Sequence, residues 1–215
     1  MGLRGLLTPS AFMPRPNDPL RSLRRSALPV DTTALARFLI GKILVRDHSD
    51  GRTTGRIVET EAYVVGDAAA HTFRGETPRN RSMFLQRGHA YVYFIYGCWY
   101  ALNVSGEIPG VGGGVLLRAL EPLQGIDLLR RRRGTDRTLD LARGPGRLAM
   151  AMAVDRSLDG VDLCRPGALW LATDGKRPPP IEQSVRIGIS REIDRKLRFF
   201  ARDNAFVSGP VHLRR

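Results

Sequence analysis

The run Arg56-Ile57-Val58-Glu59-Thr60-Glu61-Ala62-Tyr63 constrains this chain more than any other segment. Its apolar and β-branched residues read as a strand. Side chains alternate along a strand, so Ile57, Glu59, Glu61 and Tyr63 fall on one face. Two carboxylates and an aromatic on one side of an otherwise core-like strand describe a lined pocket. The same residues also fit an exposed edge strand with solvated glutamates, because Glu is mostly a surface residue.

A chain of 215 residues fits one domain, and a hydrophobic share of 42% is enough for a real core. No apolar run approaches the ~18 residues of a membrane helix. Leu3, Leu6 and Leu7 are followed by Pro9, Pro14, Pro16 and Pro19, too short and broken a stretch for a secretory signal. Cys98 and Cys164 are the two cysteines, far apart and without a paired spacing. They suit a reducing cytoplasm rather than a disulfide framework.

The formal charge is +13 with a pI near 11.0, and the lysines are only Lys42, Lys176 and Lys196. Arginine forks onto phosphate oxygens and stacks on bases. An excess of this size favours a polyanionic partner, although genomic base composition also enriches Arg over Lys.

Residues 1–27 are rich in Pro, Arg and Leu without periodicity, and read as a basic, flexible arm. The expected domain covers 28–215. Asp31 is a good N-cap for a helix from Thr32 to Ile40, with Gly41 as its stop. Lys42 to Arg46 and Thr53 to Tyr63 read as a hairpin across Ser49-Asp50-Gly51. Gly66 to Arg81 is a polar loop directly after the Glu-bearing strand. A second hairpin joins Ala90–Ile95 to Trp99–Val104. Gly112 to Leu120 reads as a strand, Pro122 to Arg133 as a helix, and Gly144-Pro145-Gly146 as the start of another helix. Short strands are expected at Leu169–Ala172, Val185–Ile189 and Leu197–Ala201.

All five tyrosines, and nine of the fifteen aromatics, lie between residues 63 and 100. Tyrosines gathered near a carboxylate and His71 suit a pocket that stacks a flat ring. Such stacking contributes ~1–3 kcal/mol per base. Tyrosine-rich strands also occur for packing reasons alone. Tyr96 falls at the hairpin tip beside Gly97, as a wedge entering a base stack would, or as a tip folded back on the domain. Asn103 is unusual in a strand and must satisfy its donors and acceptors if buried. Arg118, inside Val115-Leu116-Leu117-Arg118-Ala119-Leu120, needs an anion, and Glu59 or Glu61 is the candidate. The run Arg130–Arg133, with Arg137, Arg143 and Arg147, fits a phosphate-binding face or simply a solvated one. No metal-ligand spacing is present, so a metal site is not expected.

These segments resemble the mammalian-type alkyladenine (3-methyladenine) DNA glycosylases, a family that also occurs in bacteria. The matching motifs are Arg56–Tyr63, Ala69-Ala70-His71, Thr77-Pro78-Arg79-Asn80-Arg81 and Tyr91–Gly97. They continue through Leu102-Asn103-Val104, Leu116–Pro122, Gly144-Pro145 and Arg186-Ile187-Gly188, covering roughly residues 28–205. The resemblance implies a single mixed α/β (α+β) domain with a curved antiparallel sheet, flanking helices and a protruding β-hairpin. It implies an enzyme that removes damaged purines from double-stranded DNA without metal or organic cofactor, and a monomer is expected. Glu61 resembles the base that activates water, with Arg118 and the Ile187 carbonyl as its partners. Tyr63, Ala69, His71, Tyr93 and Asn103 resemble the base pocket, and Tyr96 the wedge. Cys98 stands where relatives carry a larger apolar residue. Arg79, Arg130, Arg131 and Arg147 are the expected phosphate contacts. With no lysine marking a Schiff-base site, the expected chemistry is hydrolysis without strand nicking. Two other readings stay open: an inverting glycoside hydrolase using Glu59 and Glu61, whose Cα atoms would lie ~6.5–7 Å apart, and a non-catalytic nucleic-acid-binding module.

Overall fold

The computed structural model describes residues 20–95 and 97–213. Among these residues nine strands form one antiparallel sheet: β1 (Arg21–Ser22), β2 (Ile43–His48), β3 (Gly51–Tyr63), β4 (Ala90–Ile95), β5 (Trp99–Ser105), β6 (Gly114–Gln124), β7 (Leu169–Thr173), β8 (Ile181–Ser184) and β9 (Arg198–Ala201). Three helices flank it: α1 (Thr32–Leu39), α2 (Ile126–Arg133) and α3 (Pro145–Ala151). The main path runs β1-β7-β2-β3-β6-β5-β4, and the β8–β9 pair joins through β3. This is the curled α+β architecture expected from the sequence.

The long strand β3 organises the whole. One of its edges pairs with β6 from Thr54 to Tyr63. The other edge is shared: β2 covers Gly51 to Arg56, and β9 covers Glu59 to Glu61. The sheet therefore forks beside the second half of β3, and the space opened there holds the polar cluster described below.

Local chemistry accounts for most boundaries. Asp31 caps α1 by accepting the Ala34 amide at 2.6 Å. Thr32, Leu35, Ala36 and Leu39 are its buried residues, the spacing of one helical face. That face packs on β3, where the Thr60 hydroxyl donates to the Ala36 carbonyl at 2.9 Å. The β4–β5 hairpin leaves the sheet because only Asn103 to Ser105 pair with β6. Past that point Phe94, Gly97 and Cys98 are exposed.

Three expectations are corrected. Of the arm expected over residues 1–27, residues 1–19 lie outside the described residues, and residues 20–27 belong to the fold. Arg21 and Ser22 pair with β7, Leu23 and Leu28 are buried in the main core, and Leu20 packs on a cluster of Ile43, Val45, Trp170 and Ala172. Leu20 covers the outer face of β2 and β7, which would otherwise be wet, while Leu23 and Leu28 enter the main core with Leu44, Leu169 and Leu171. The helix expected from Pro122 begins at Ile126, because β6 runs on through Gln124. Pro122 is tolerated where β6 has passed its β5 partner and the β3 register shifts. Gly125, at φ +73°, then turns the chain so tightly that a Cβ would sit 2.5 Å from the Arg52 carbonyl oxygen. The strand expected over Val185–Ile189 lies earlier, at Ile181–Ser184. Residues 185–189 leave the ladder, and their backbone groups serve the site instead.

Candidate active site

The second half of β3 carries the site. Thr60 faces α1, and Glu59 and Glu61 face away from it into the fork. Both glutamates are fully buried, which excludes the solvated edge strand. Buried carboxylates need partners, and these have them. Glu59 Oε1 accepts from Arg118 Nε at 3.1 Å and Arg198 Nε at 2.6 Å, while Oε2 accepts the Ser208 amide at 2.7 Å. Glu61 Oε1 accepts the Ile187 amide at 2.8 Å and lies 3.2 Å from Arg118 Nη1. Its Oε2 accepts the Tyr63 hydroxyl at 3.0 Å. Arg118 thus bridges both acids, and its Nη1 also donates to the Ile187 carbonyl at 3.4 Å.

The two acids differ electrostatically. Burial pushes Glu59 up, but Arg118, Arg198 and the Ser208 amide together hold it below the ordinary carboxylate range. For Glu61 burial prevails and its carboxyl is raised, against the opposing pull of Arg118, the Ile187 amide and the Tyr63 hydroxyl. Desolvation, followed by the charge of Glu61, also raises the Tyr63 hydroxyl, which stays protonated as a donor.

Tyr63 separates this cluster from a cavity of about 620 Å³, within the usual ~300–1,000 Å³ of ligand sites. The cavity is lined by Tyr63, Ala69, His71, Tyr93 and Asn103, the five residues expected for a base pocket. Tyr91 and Tyr93, two apart on β4, stack with centroids 5.2 Å apart, and His71 meets the Tyr93 ring edge-on at 4.5 Å. His71 Nδ1 and the Tyr91 hydroxyl lie 3.0 Å apart. Burial, reinforced by Arg79, lowers the His71 pKa and favours the neutral imidazole. Asn103 Nδ2 donates to the Tyr91 carbonyl at 3.4 Å across the β4–β5 pair.

The basic residues divide. Arg79 lines the cavity, with its guanidinium 6.0 Å from the Tyr93 centroid. Arg131 is exposed, whereas Arg130 pairs with Asp127 and Arg147 with Asp140. The run of four arginines is not one solvent-facing patch. Helical rotation turns Arg132 toward Asp50 and the Ala151 carbonyl, and Arg133 toward the Leu141 carbonyl and the Trp99 ring. Cys98 is exposed near the hairpin tip, and Tyr96 lies outside the described residues. Among the described residues no group of His, Cys, Asp and Glu could hold a metal ion, and no helix is long and apolar enough to cross a membrane.

Sequence reasoning grouped Tyr91 with the pocket tyrosines without naming it as a wall, and missed Arg198 as the second cation of the cluster and the Asp67–Arg186 pair. Arg186 and Arg198 carried the signal that singled out Arg118: an arginine flanked by apolar residues. Asp67 sits in a polar loop and carried none.

Fold and site together define a basic α+β protein with an aromatic slot backed by a sealed carboxylate–arginine cluster. Comparison with known proteins identifies the class. The family model for methylpurine-DNA glycosylase (MPG) matches residues 26–205. A relative from Mesorhizobium japonicum is 65% identical over 191 residues, 89% of this chain and 92% of its own length. Another from Paraburkholderia phytofirmans is 53% identical over 195 residues, covering 91% and 92%. A third, from Methanoculleus marisnigri, is 46% identical over 182 residues, covering 83% and 94%. All three are named, provisionally, as 3-methyladenine DNA glycosylases. The chain belongs to the methylpurine-DNA glycosylase family.

Proposed function

We propose that this DNA glycosylase family member flips damaged purines, alkylated or deaminated, out of duplex DNA and hydrolyses their N-glycosidic bond, leaving the strand intact. The observation that carries the reading is the position of Glu61, directly behind Tyr63, a wall of the aromatic cavity.

A base within a duplex is out of reach, and extruding it costs a few kcal/mol, least for a damaged or mispaired base. Tyr96 fills the gap left behind. The purine stacks between Tyr63 and the His71–Tyr93 side. The Ala69 backbone meets the lesion edge, and Arg79, Arg130, Arg131 and Arg147 hold phosphates. Glycosidic cleavage builds oxocarbenium character at the sugar. Ionised Glu61 stabilises that charge and takes a proton from the attacking water. A carboxylate has about four acceptor positions. Glu61 Oε1 accepts the Ile187 amide and is ion-paired with Arg118, and Oε2 accepts the Tyr63 hydroxyl, so the carboxylate keeps acceptor capacity for a water. The Ile187 carbonyl and Arg118 orient that water. Cationic alkylpurines leave readily, while neutral hypoxanthine needs protonation first.

The test is release of free base from duplexes carrying 3-methyladenine, hypoxanthine or ethenoadenine. Binding of all three without release would make the protein a recognition module. The glycoside-hydrolase reading loses its footing, because both carboxyl oxygens of Glu59 are engaged, by Arg118 and Arg198 and by the Ser208 amide.

A pH dependence follows. Glu61 must be ionised to act, and burial raises its carboxyl. As pH falls through that raised value, protonation removes the base. The acid limb of the single-turnover rate on 3-methyladenine should therefore lie above the ordinary Glu value of about 4.3. A limb at or below that value would mean that another group is the base.

Asn103 is the proposed barrier to guanine's 2-amino group. Asn103→Ser should raise release of guanine lesions relative to adenine lesions by about tenfold, the usual worth of a small steric or polar feature in a pocket. An unchanged ratio in competition assays would remove it from selectivity.

A further inference from the structure

Arg186 reaches the Tyr63 wall and the backbone beside Glu61 without lining the cavity. Its side chain is fully buried and paired with an equally buried Asp67, Nη2 lying 3.1 Å from Oδ1. Nη1 also donates to the Ala62 carbonyl at 3.1 Å, on the residue before Tyr63. The guanidinium lies over the Tyr63 ring, 4.7 Å from its centroid. Asp67 Oδ1 in turn accepts the Ala69 amide at 2.9 Å, at the start of the loop that carries His71. Arg186 is also the chain neighbour of Ile187, whose amide and carbonyl bind Glu61 and Arg118. Residues 185–191 belong to no strand, so no ladder holds Ile187 in place.

A buried ion pair is weak evidence of a stabilising role, since well-packed apolar residues often do as well. This pair instead leaves Arg186 Nε buried without a hydrogen-bond partner, with its guanidinium over Tyr63. Its remaining contacts all fall on the walls of the cavity or on the backbone facing Glu61.

We propose that Arg186 is a positioning residue: braced by Asp67 and laid against Tyr63, it fixes Ile187 and Tyr63 relative to Glu61, so that base release depends on it more than lesion binding does. The proposal rests on the glycosylase reading above. It acts through two donors, the Ile187 amide and the Tyr63 hydroxyl, both of which favour ionised Glu61. The other charged groups around Glu61 are Glu59 on its own strand, Arg118 on β6, and Arg198 on β9, which reaches it through Glu59. None of these three has a hydrogen bond or ion pair to Arg186.

The test is Arg186→Lys, which keeps a cation beside Asp67 but cannot lie flat on the ring while holding two partners. Single-turnover release of hypoxanthine, measured per folded molecule, should fall about ten- to hundred-fold, the scale of a small misplacement of catalytic groups. Affinity for the same duplex should change less than about threefold, and the acid limb should move to higher pH. A merely structural role would lower the melting temperature and leave the rate per folded molecule and the limb unmoved, which would overturn the proposal. Asp67→Asn with Arg186→Gln supplies a neutral pair should the lysine variant unfold, and the same loss of rate is expected of it. Hydrogen exchange of the Ile187 amide gives a readout independent of activity: protection should drop in the variant. If the wild type releases no base, the glycosylase reading fails, and exchange alone decides the brace. Unchanged protection overturns it.

Discussion

Glu61→Gln should abolish base release, lowering the single-turnover rate by about a thousandfold, within the ~10²–10⁴ ascribed to a positioned base. Affinity for lesion-containing duplex should remain. Glutamine fills the same space: its oxygen can still accept from the Ile187 amide, and its NH2 can donate to the Tyr63 hydroxyl oxygen in place of the bond that the carboxylate accepted. It loses the charge that opposes the oxocarbenium ion and the ability to take a proton. The fold should survive, because Arg118 retains Glu59. Electrostatics point the same way. The folded-state pKa of Glu61 is raised above its unfolded value. Its favourable balance is therefore full at low pH, where the carboxyl is neutral, and is lost as pH rises through the folded value. A permanently neutral side chain should leave the melting temperature at pH 7 level or slightly higher. Near-normal excision by a folded Glu61→Gln protein would end the base assignment.

Glu59→Gln should do the reverse and damage the fold. Glu59 neutralises Arg118 and the fully buried Arg198, and also accepts the Ser208 amide. Breaking a buried pair by removing one partner costs about 3–5 kcal/mol. For a chain of this size, where 1 kcal/mol shifts the melting temperature by ~2–4 °C, the fall should be about 10 °C. The sign with pH is opposite to that of Glu61. The folded-state value of Glu59 is lowered, so its contribution is present above the unfolded carboxylate value and is lost as pH falls toward the folded one. Wild-type stability should therefore drop steeply below about pH 4.3, and the variant should have lost much of that dependence. Thermal melts of both proteins from pH 3 to 7 check this. A variant as stable as the wild type would mean that Glu59 is not what neutralises Arg198. Together the two glutamates, two residues apart on one strand, should separate chemistry from architecture.

Much of the fold was legible because its signals are local. Asp31 before the Leu35-Ala36-Leu39 face, the Ser49-Asp50-Gly51 turn and Gly144-Pro145 each act within a few residues, and each marks an observed boundary. The misplaced elements were those where tertiary pairing overrides local pattern. Val185, Ile187 and Ile189 alternate as a strand does, yet the Ile187 amide goes to Glu61. Pro122 looked like a helix start, yet it sits in β6 because its missing donor faces no neighbouring strand. The leucines of residues 20–28 looked like part of a loose arm, because nothing local reveals that β2 and β7 need covering.

The candidate site divides along the same line. An arginine among apolar residues and two glutamates in a core-like strand point to a charge cluster, because isolated charges do not persist in a core, but only the structure decided between that and a solvated edge strand. Which acid stays firmly ionised and which is raised by burial depends on how many donors reach each oxygen. Those donors come from residues 118, 187, 198 and 208, brought together only where the sheet forks. The amino-acid order therefore determined the chemical inventory and the strand that carries it. Tertiary structure alone decided the division of labour within it, because desolvation and pairing are properties of where a group is buried and not of its neighbours along the chain.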